Sequence, residues 1–127
     1  MTTVGVTLDT GALIAIERGD RRLQALIDEA AGGGAEITVP AGVIAQAWRG
    51  SSRQARLGRF LGLSMVTAVA LDEPEARAAG VLCGLRNSAD VVDASVVICA
   101  RERNHTVVTG DENDLRALDP RLRIVIV

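Results

Sequence analysis

The sequence predicts an α/β fold: a central parallel sheet flanked by helices on both faces, formed by one domain over residues 1–127. Three observations carry this. Short β-branched runs alternate with helical stretches along the whole chain. The strand candidates are continuous apolar runs, as expected for strands covered on both faces. And 127 residues at 48% hydrophobic suit one domain with one core.

The elements follow in order. "VGVTLD" reads as a buried strand, and "TGALIAIERG" has helical periodicity through Leu13, Ile14 and Ile16. "DRRLQALIDEAAGGG" reads as an amphipathic helix that opens at Asp20, a good N-cap, and stops at glycines. "AEITVP" is a short strand, and Pro40 fits the first turn of a third helix, "AGVIAQAWRG". "SSRQARLGRFLGL" is a fourth helix with a serine cap, and "SMVTAVAL" is a strand. "DEPEARAAGVLCGLR" is a helix with Asp72 and Pro74 at its start, and "ADVVDASVVICARERN" is another with Asn104 at its stop. "HTVVTG" is a strand, "DENDLRAL" a short helix and "LRIVIV" a closing strand.

Composition removes several function classes. The net charge of −2 means that nucleic acid would be met by a local patch or a metal, not by a basic surface. One Trp, one Phe and no Tyr leave little for base stacking. No apolar stretch is long enough to span a bilayer, and "MTTVGVTLDT" lacks the basic and apolar regions of a secretory signal. The expectation is a soluble cytoplasmic protein. Cys83 and Cys99 lie in apolar helical patterns and read as buried inert thiols. No phosphate-binding glycine motif follows a strand.

The acids stand out. In parallel α/β sheets, sites form beyond the carboxyl ends of the strands. Asp9 ends the first strand and Asp111 follows "HTVVTG", so the fold would bring both to one sheet edge. Asp90 and Asp93, and likewise Asp111 and Asp114, are three apart at helix starts and share a face. Each pair alone is equally explained as helix capping. Asp9 is harder to explain that way, because a carboxylate after an apolar strand is costly without compensation. Gathered together, the acids would repel one another unless a hard cation such as Mg²⁺ or Mn²⁺ relieved them. No Cys/His cluster suggests structural zinc. A metal held by carboxylates can activate water and stabilise charge on a phosphodiester.

Four stretches, "LDTGALIAI", "VPAGVIAQAWRG", "ADVVDASVVICA" and "VVTGDENDL", resemble in order and spacing those of PIN domains, and specifically of VapC toxins from bacterial toxin–antitoxin pairs. The resemblance implies a metal-dependent endoribonuclease that uses Mg²⁺ or Mn²⁺, forms a homodimer and is blocked by a small VapB-type antitoxin. Its usual four acids map onto Asp9, position 46, Asp93 and Asp111. Asp90 and Asp114 match flanking acids, and Thr109 matches the small polar residue before the last acid, where it is assigned to RNA contact. Position 46 departs from the pattern: Gln46 stands where the resemblance expects Glu. An amide keeps an oxygen ligand but loses a charge, so metal affinity falls unless Asp90 or Asp114 compensates. Glu17 is a poorer substitute, being expected at the surface.

Arg49, Arg53, Arg56 and Arg59 lie at helical spacing. The first three are assigned to RNA phosphates, against the plain alternative of a solvated face. Trp48 reads as a core or interface anchor, and His105 as a turn residue without a catalytic role. Two rival functions remain: a non-catalytic PIN-like binding module, favoured by Gln46, and a phosphatase with Asp9 as nucleophile. Gly11 counts against the second, because that class wants an acid two residues after the first.

Overall fold

The computed structural model describes residues 4–127; the expected domain also takes in residues 1–3, which lie outside the described residues. Five parallel strands form one sheet in the order β3-β2-β1-β4-β5. These are β1 (Val6–Leu8), β2 (Ile37–Pro40), β3 (Val66–Val69), β4 (Thr106–Thr109) and β5 (Ile124–Ile126). Seven α-helices join them: α1 (Thr10–Glu17), α2 (Arg21–Gly32), α3 (Ala41–Ala47), α4 (Ala55–Leu61), α5 (Glu73–Arg86), α6 (Val91–Arg103) and α7 (Glu112–Leu118). The α/β class and parallel sheet are as the sequence predicts. None of these helices is long and apolar enough to cross a membrane.

The strands form where β-branched residues cluster, because their stiff side chains pack well on a pleated surface. β1 and β2 are buried throughout and β4 nearly so, while β3 and β5 are half exposed. Continuous apolar runs thus mark the three central strands, and the two edges are covered less fully. On one side α6 packs on β1, β2 and β4, with α5 and α7 against it. On the other, α1 packs on β1 and β4 and carries α2 and α4. Leu8, Leu13, Leu23, Ile37 and Leu57 are among the fully buried side chains, each worth about 1.5–3 kcal/mol by burial.

Most predicted boundaries hold. Asp20 caps α2 by accepting the Leu23 N–H at 2.9 Å, and Asp72 caps α5 by accepting that of Glu75 at 3.0 Å. Asn104 ends α6 in the left-handed region (φ 56°). Three details differ. Pro40 closes β2 and occupies the N-cap of α3, one residue before the first turn. α3 stops at Ala47, because Trp48 is extended; its ring lies over Gly58 and is 41% exposed, so it is not a core anchor. The fourth helix opens with a 3-10 turn over Ser52–Gln54, and Ser51 makes no side-chain cap.

At the amino end of the sheet sits a buried polar cluster. Thr7 Oγ1 lies 2.9 Å from Thr38 Oγ1 and 3.0 Å from His105 Nδ1, and His105 Nε2 lies 3.4 Å from Glu36 Oε2. The Glu36 carboxylate favours the proton on Nε2, which leaves Nδ1 to accept from Thr7. His105 is therefore a buried structural residue rather than a turn residue. Burial lowers its pKa, partly offset by Glu36. Cys83 and Cys99 are buried free thiols, as predicted.

Candidate active site

β1 leads leftward to β2 and β3, while β4 and β5 extend rightward, so chain direction in the sheet reverses between β1 and β4. A crevice opens at the carboxyl ends of such a strand pair. Asp9 follows β1 directly and Asp111 follows β4 by two residues. The turns that carry them touch. A Cβ on Gly11 would lie 3.0 Å from the backbone of Gly110, so two glycines let the loops close on each other.

Asp9 is 4% exposed and uses both carboxylate oxygens. Oδ1 accepts the Ala12 N–H at 2.9 Å and caps α1; Oδ2 accepts the Thr109 hydroxyl. Thr109 Oγ1 in turn accepts the Asp111 N–H at 2.8 Å, so one hydroxyl ties the two acid-bearing turns together. Thr109 is fully buried. That corrects its expected role: the hydroxyl orients Asp9 and cannot reach RNA. On α6, Asp90 caps the helix by accepting the Asp93 N–H at 2.9 Å. On α7, Asp111 Oδ1 faces the Asp114 N–H at a long 3.4 Å. Three of the five acids are thus helix caps, as the plain reading has it.

Capping does not exhaust their chemistry. Burial pushes the Asp9 carboxyl above its usual range, against the hydrogen bonds from Thr109, Ala12 and Gly110, and the charge of Asp111 adds to the rise. Asp93 is pushed up to about 7 by burial, then by Asp90, Asp114 and Asp9. Asp114 is raised by Asp111 first and by Asp90 more weakly. Asp9, Asp90, Asp93, Asp111 and Asp114 therefore act on one another as one electrostatic set. None of the five makes an ion pair among the described residues. By contrast, buried Asp119 accepts from Arg101 at 2.9 Å and is held below its usual range despite its burial.

A divalent cation fits the donor chemistry of this set: hard oxygens, mutual repulsion and no Cys or His. Among the described residues no three such side chains close to ligand spacing.

Gln46 is placed beside the set. Its Oε1 accepts the hydroxyl of Thr10, the neighbour of Asp9, at 2.5 Å. It lines a groove of about 350 Å³ with Arg18, Arg49 and Arg53. Arg49 also donates to the carbonyls of Ala45 and Trp48. Arg56 instead donates to the Glu17 carbonyl at 3.2 Å and lies against Gly19, outside that groove. The structure thus groups Arg49 and Arg53 and separates Arg56. Glu17 is half-buried and accepts from Gln54 at 2.6 Å.

Two functional candidates escape the sequence. Arg18 joins the Gln46 groove only because α1 ends beside α3 and α4. Gln54 is buried, accepts the N–H groups of Arg49 and Gly50, and donates to Ala47 and Glu17. It fixes the loop that presents Arg49. A glutamine in a polar stretch gives no hint of this.

Residues 6–119 match the PIN domain family. The chain belongs to this family. PIN domains are generally nucleases, and PIN nucleases generally use divalent metals. No curated protein matches the chain by sequence. Among solved structures, it is similar to VapBC2 from Rickettsia felis bound to a promoter DNA fragment, at 17% identity and a TM-score of 0.73, over 96% of this chain and 98% of that one. A toxin–antitoxin complex from Klebsiella pneumoniae is similar at 15% identity and a TM-score of 0.71, over 95% and 96%. DNA-bound VapBC from Salmonella typhimurium is similar at 16% identity and a TM-score of 0.66, over 98% of each chain. At such identities the likeness is one of fold.

Proposed function

We propose that this PIN domain, residues 1–127, is a metal-dependent endoribonuclease acting in the cytoplasm as the toxin of a VapBC-type pair. The carrying observation is the set of five mutually repelling carboxylates at the β1/β4 crevice, with Asp93 raised to about 7 and, among the described residues, no side-chain cation paired to any of them. Asp9, Asp93 and Asp111 would hold Mg²⁺ or Mn²⁺, with Gln46, Asp90 and Asp114 around them. When bound, the cation supplies charge stabilisation at the phosphodiester and activation of water. The chain's own residues do the positioning. Thr109 fixes the Asp9 carboxylate, Asp90 fixes the first turn of α6 that carries Asp93, and the Gly11–Gly110 contact sets the spacing between the turns. Arg49 and Arg53 grip phosphates of the strand at the edge of the acid set.

An antitoxin partner is supported by the toxin–antitoxin complexes among the structural neighbours. A homodimer is supported by Val81 and Leu85, which lie one turn apart on α5 and are 63% and 77% exposed. Sedimentation of the wild type and Leu85→Glu tests it: the dimer is expected to dissociate in the variant.

The main test is cleavage of single-stranded RNA by purified protein with Mg²⁺ or Mn²⁺. Cleavage is expected to stop in excess chelator and in Asp9→Asn, which keeps the cap on α1. Full cleavage under either condition defeats the proposal. A second reading, a binding module without catalysis, is favoured by Gln46; metal-independent RNA binding without cleavage would support it.

A further inference from the structure

A second groove, about 320 Å³ in volume, leaves the acid set on another side. Arg86, Asn87, Ser88, Asp90, Asp93 and Asp114 are among its lining residues. Arg86 ends α5, and Asn87, Ser88 and Asp90 follow in the turn to α6. Asn87 is left-handed (φ 53°) and ends α5, the Ser88 N–H returns to the Cys83 carbonyl at 2.9 Å, and Ser88 Oγ accepts the Asp90 N–H at 3.1 Å. This turn brings the acids that start α6 into the groove that Arg86 also lines. Yet the Arg86 guanidinium makes no hydrogen bond or ion pair among the described residues, although three carboxylates line the same groove. A guanidinium and carboxylates that share a groove without pairing leave room for a ligand between them.

The chemistry of that ligand follows from the charges. A strand of phosphates approaching five carboxylates is repelled along its length, and a grip on one side would let the other side lift away. Arg18, Arg49 and Arg53 line the Gln46 groove, and Arg86 lines the Asp90 groove. Arginine suits this task, because its planar fork binds phosphate oxygens in pairs. A plainer role exists: Arg86 lies in the last turn of α5, where a cation suits the helix dipole, and its charge reaches Asp119. Asp119 already has Arg101.

The geometry points to Arg86 as a phosphate-binding residue that holds the RNA strand on the opposite side of the acid set from Arg49 and Arg53. The scissile linkage would then be gripped on both sides. This rests on the ribonuclease reading above.

The test uses single-stranded RNA oligonucleotides in which one phosphate at a time is replaced by a neutral methylphosphonate, on both sides of the cleaved linkage. Wild type, Arg86→Ala, Arg86→Lys and Arg53→Ala are compared at saturating metal. Arg86→Ala is expected to raise KM about tenfold, the scale of one lost phosphate contact, with kcat less changed. Its log–log salt slope should be shallower by about 0.7. Arg86→Lys should recover part of the KM. A methylphosphonate on one side should weaken wild type and Arg53→Ala but not Arg86→Ala; on the other side, the pattern should reverse. The assignment is overturned if Arg86→Ala keeps the wild-type KM and slope, if it loses only thermal stability, or if both arginines couple to the same linkage. A wild type that cleaves no RNA with metal overturns the ribonuclease reading, and this one with it.

Discussion

The two ends of β1 and β4 hold polar groups in opposite states. At the amino end, Thr38, Thr7, His105 and Glu36 form a chain in which donors meet acceptors. At the carboxyl end, a few residues away, buried Asp9 and half-buried Asp93 meet exposed Asp90, Asp111 and Asp114, and none of the five pairs with a side-chain cation among the described residues. The first arrangement is complete with protein atoms alone. The second leaves its negative charges without a protein counter-charge among the described residues. Polar groups that serve stability satisfy one another; polar groups that serve chemistry are kept open to an incoming partner.

The largest expected effect separates the two ends by readout. Asp93→Asn removes a charge from the frustrated end and should lower RNA cleavage about a hundredfold or more, the scale of losing one contact to the transition state. Its thermal stability without metal should stay level or rise. Thr7→Val, near in shape, should do the reverse: cleavage kept, stability lower by about 1–3 kcal/mol, because the buried His105 Nδ1 keeps only its longer 3.4 Å contact with Thr38 Oγ1. Cleavage rates and melting curves of both variants check this. If Asp93→Asn is destabilised and Thr7→Val inactive, the contrast between the ends is wrong.

Each end also depends on a glycine, for different reasons. At Gly5 an added Cβ would meet His105 Nε2 at 2.3 Å, and the ring is buried with nowhere to go. Gly5→Ala should cost about 1–3 kcal/mol by overpacking. At Gly11 the Cβ would press on the Gly110 backbone at 3.0 Å, pushing the Asp9 and Asp111 turns apart. Gly11→Ala should lower cleavage about tenfold or more, since a shift of about 1 Å at a reacting centre can cost a hundredfold, with a smaller loss of melting temperature. Denaturant titration and cleavage assays separate the two.

Strand and helix identities were legible because the β-branched runs and caps are local signals; Asp20, Asp72 and Asn104 do what their positions promise. The convergence of Asp9 and Asp111 was legible too, since parallel strands put their carboxyl ends on one edge. Side-chain commitments across the fold were not. Thr109 reads as a site residue either way, and only the path of β4 beside β1 shows that its hydroxyl is spent on Asp9. Arg56 shares its spacing with Arg53, yet the bend at Trp48 and the 3-10 turn send the two to different places. Nothing local in the sequence marks Arg86, because its position relative to Asp93 depends on a left-handed turn at Asn87.

A smaller effect is expected in the pH dependence of stability, where the ends pull in opposite directions. Asp93 moves from an ordinary 3.8 to about 7 in the fold. Between those values the native state holds a proton that the unfolded chain has lost, so stability falls as pH rises toward about 7. Glu75, raised to about 7 by its hydrogen bond to Glu102, adds to this slope. His105 is lowered by burial, so its share of stability is present above about 6.5 and is lost as pH falls. In chelator, Asp93→Asn should flatten the fall between about pH 5 and 7, and His105→Gln should weaken the loss on the acid side. Mn²⁺ should raise the melting temperature of the wild type most at neutral pH. Melting curves across pH, with and without metal, show whether the slopes belong to these residues.

The smallest effect is expected at Gln46, where the carboxyl end is one charge short of the family pattern. Its Oε1 already sits 2.5 Å from Thr10 Oγ1, so a carboxylate at position 46 would keep that hydrogen bond and its place beside Asp9. Gln46→Glu is therefore close to a change of charge alone. In a medium of effective dielectric constant about 20, a unit charge about 4 Å from a cation is worth about 4 kcal/mol per unit of cation charge. Gln46 is exposed, so solvent screening takes most of that. A residual of about 1 kcal/mol means roughly fivefold tighter Mg²⁺ or Mn²⁺ binding. Cleavage should rise by a similar factor at limiting metal and hardly at all at saturation. If Asp90 or Asp114 already supplies the missing charge, Gln46→Glu adds only repulsion, and Asp90→Asn or Asp114→Asn is the variant that loses metal. Calorimetric metal titrations of the three variants decide between these arrangements. Unchanged affinity in Gln46→Glu, with a loss in Asp90→Asn, would make the α6 side of the crevice the place where the fourth charge resides.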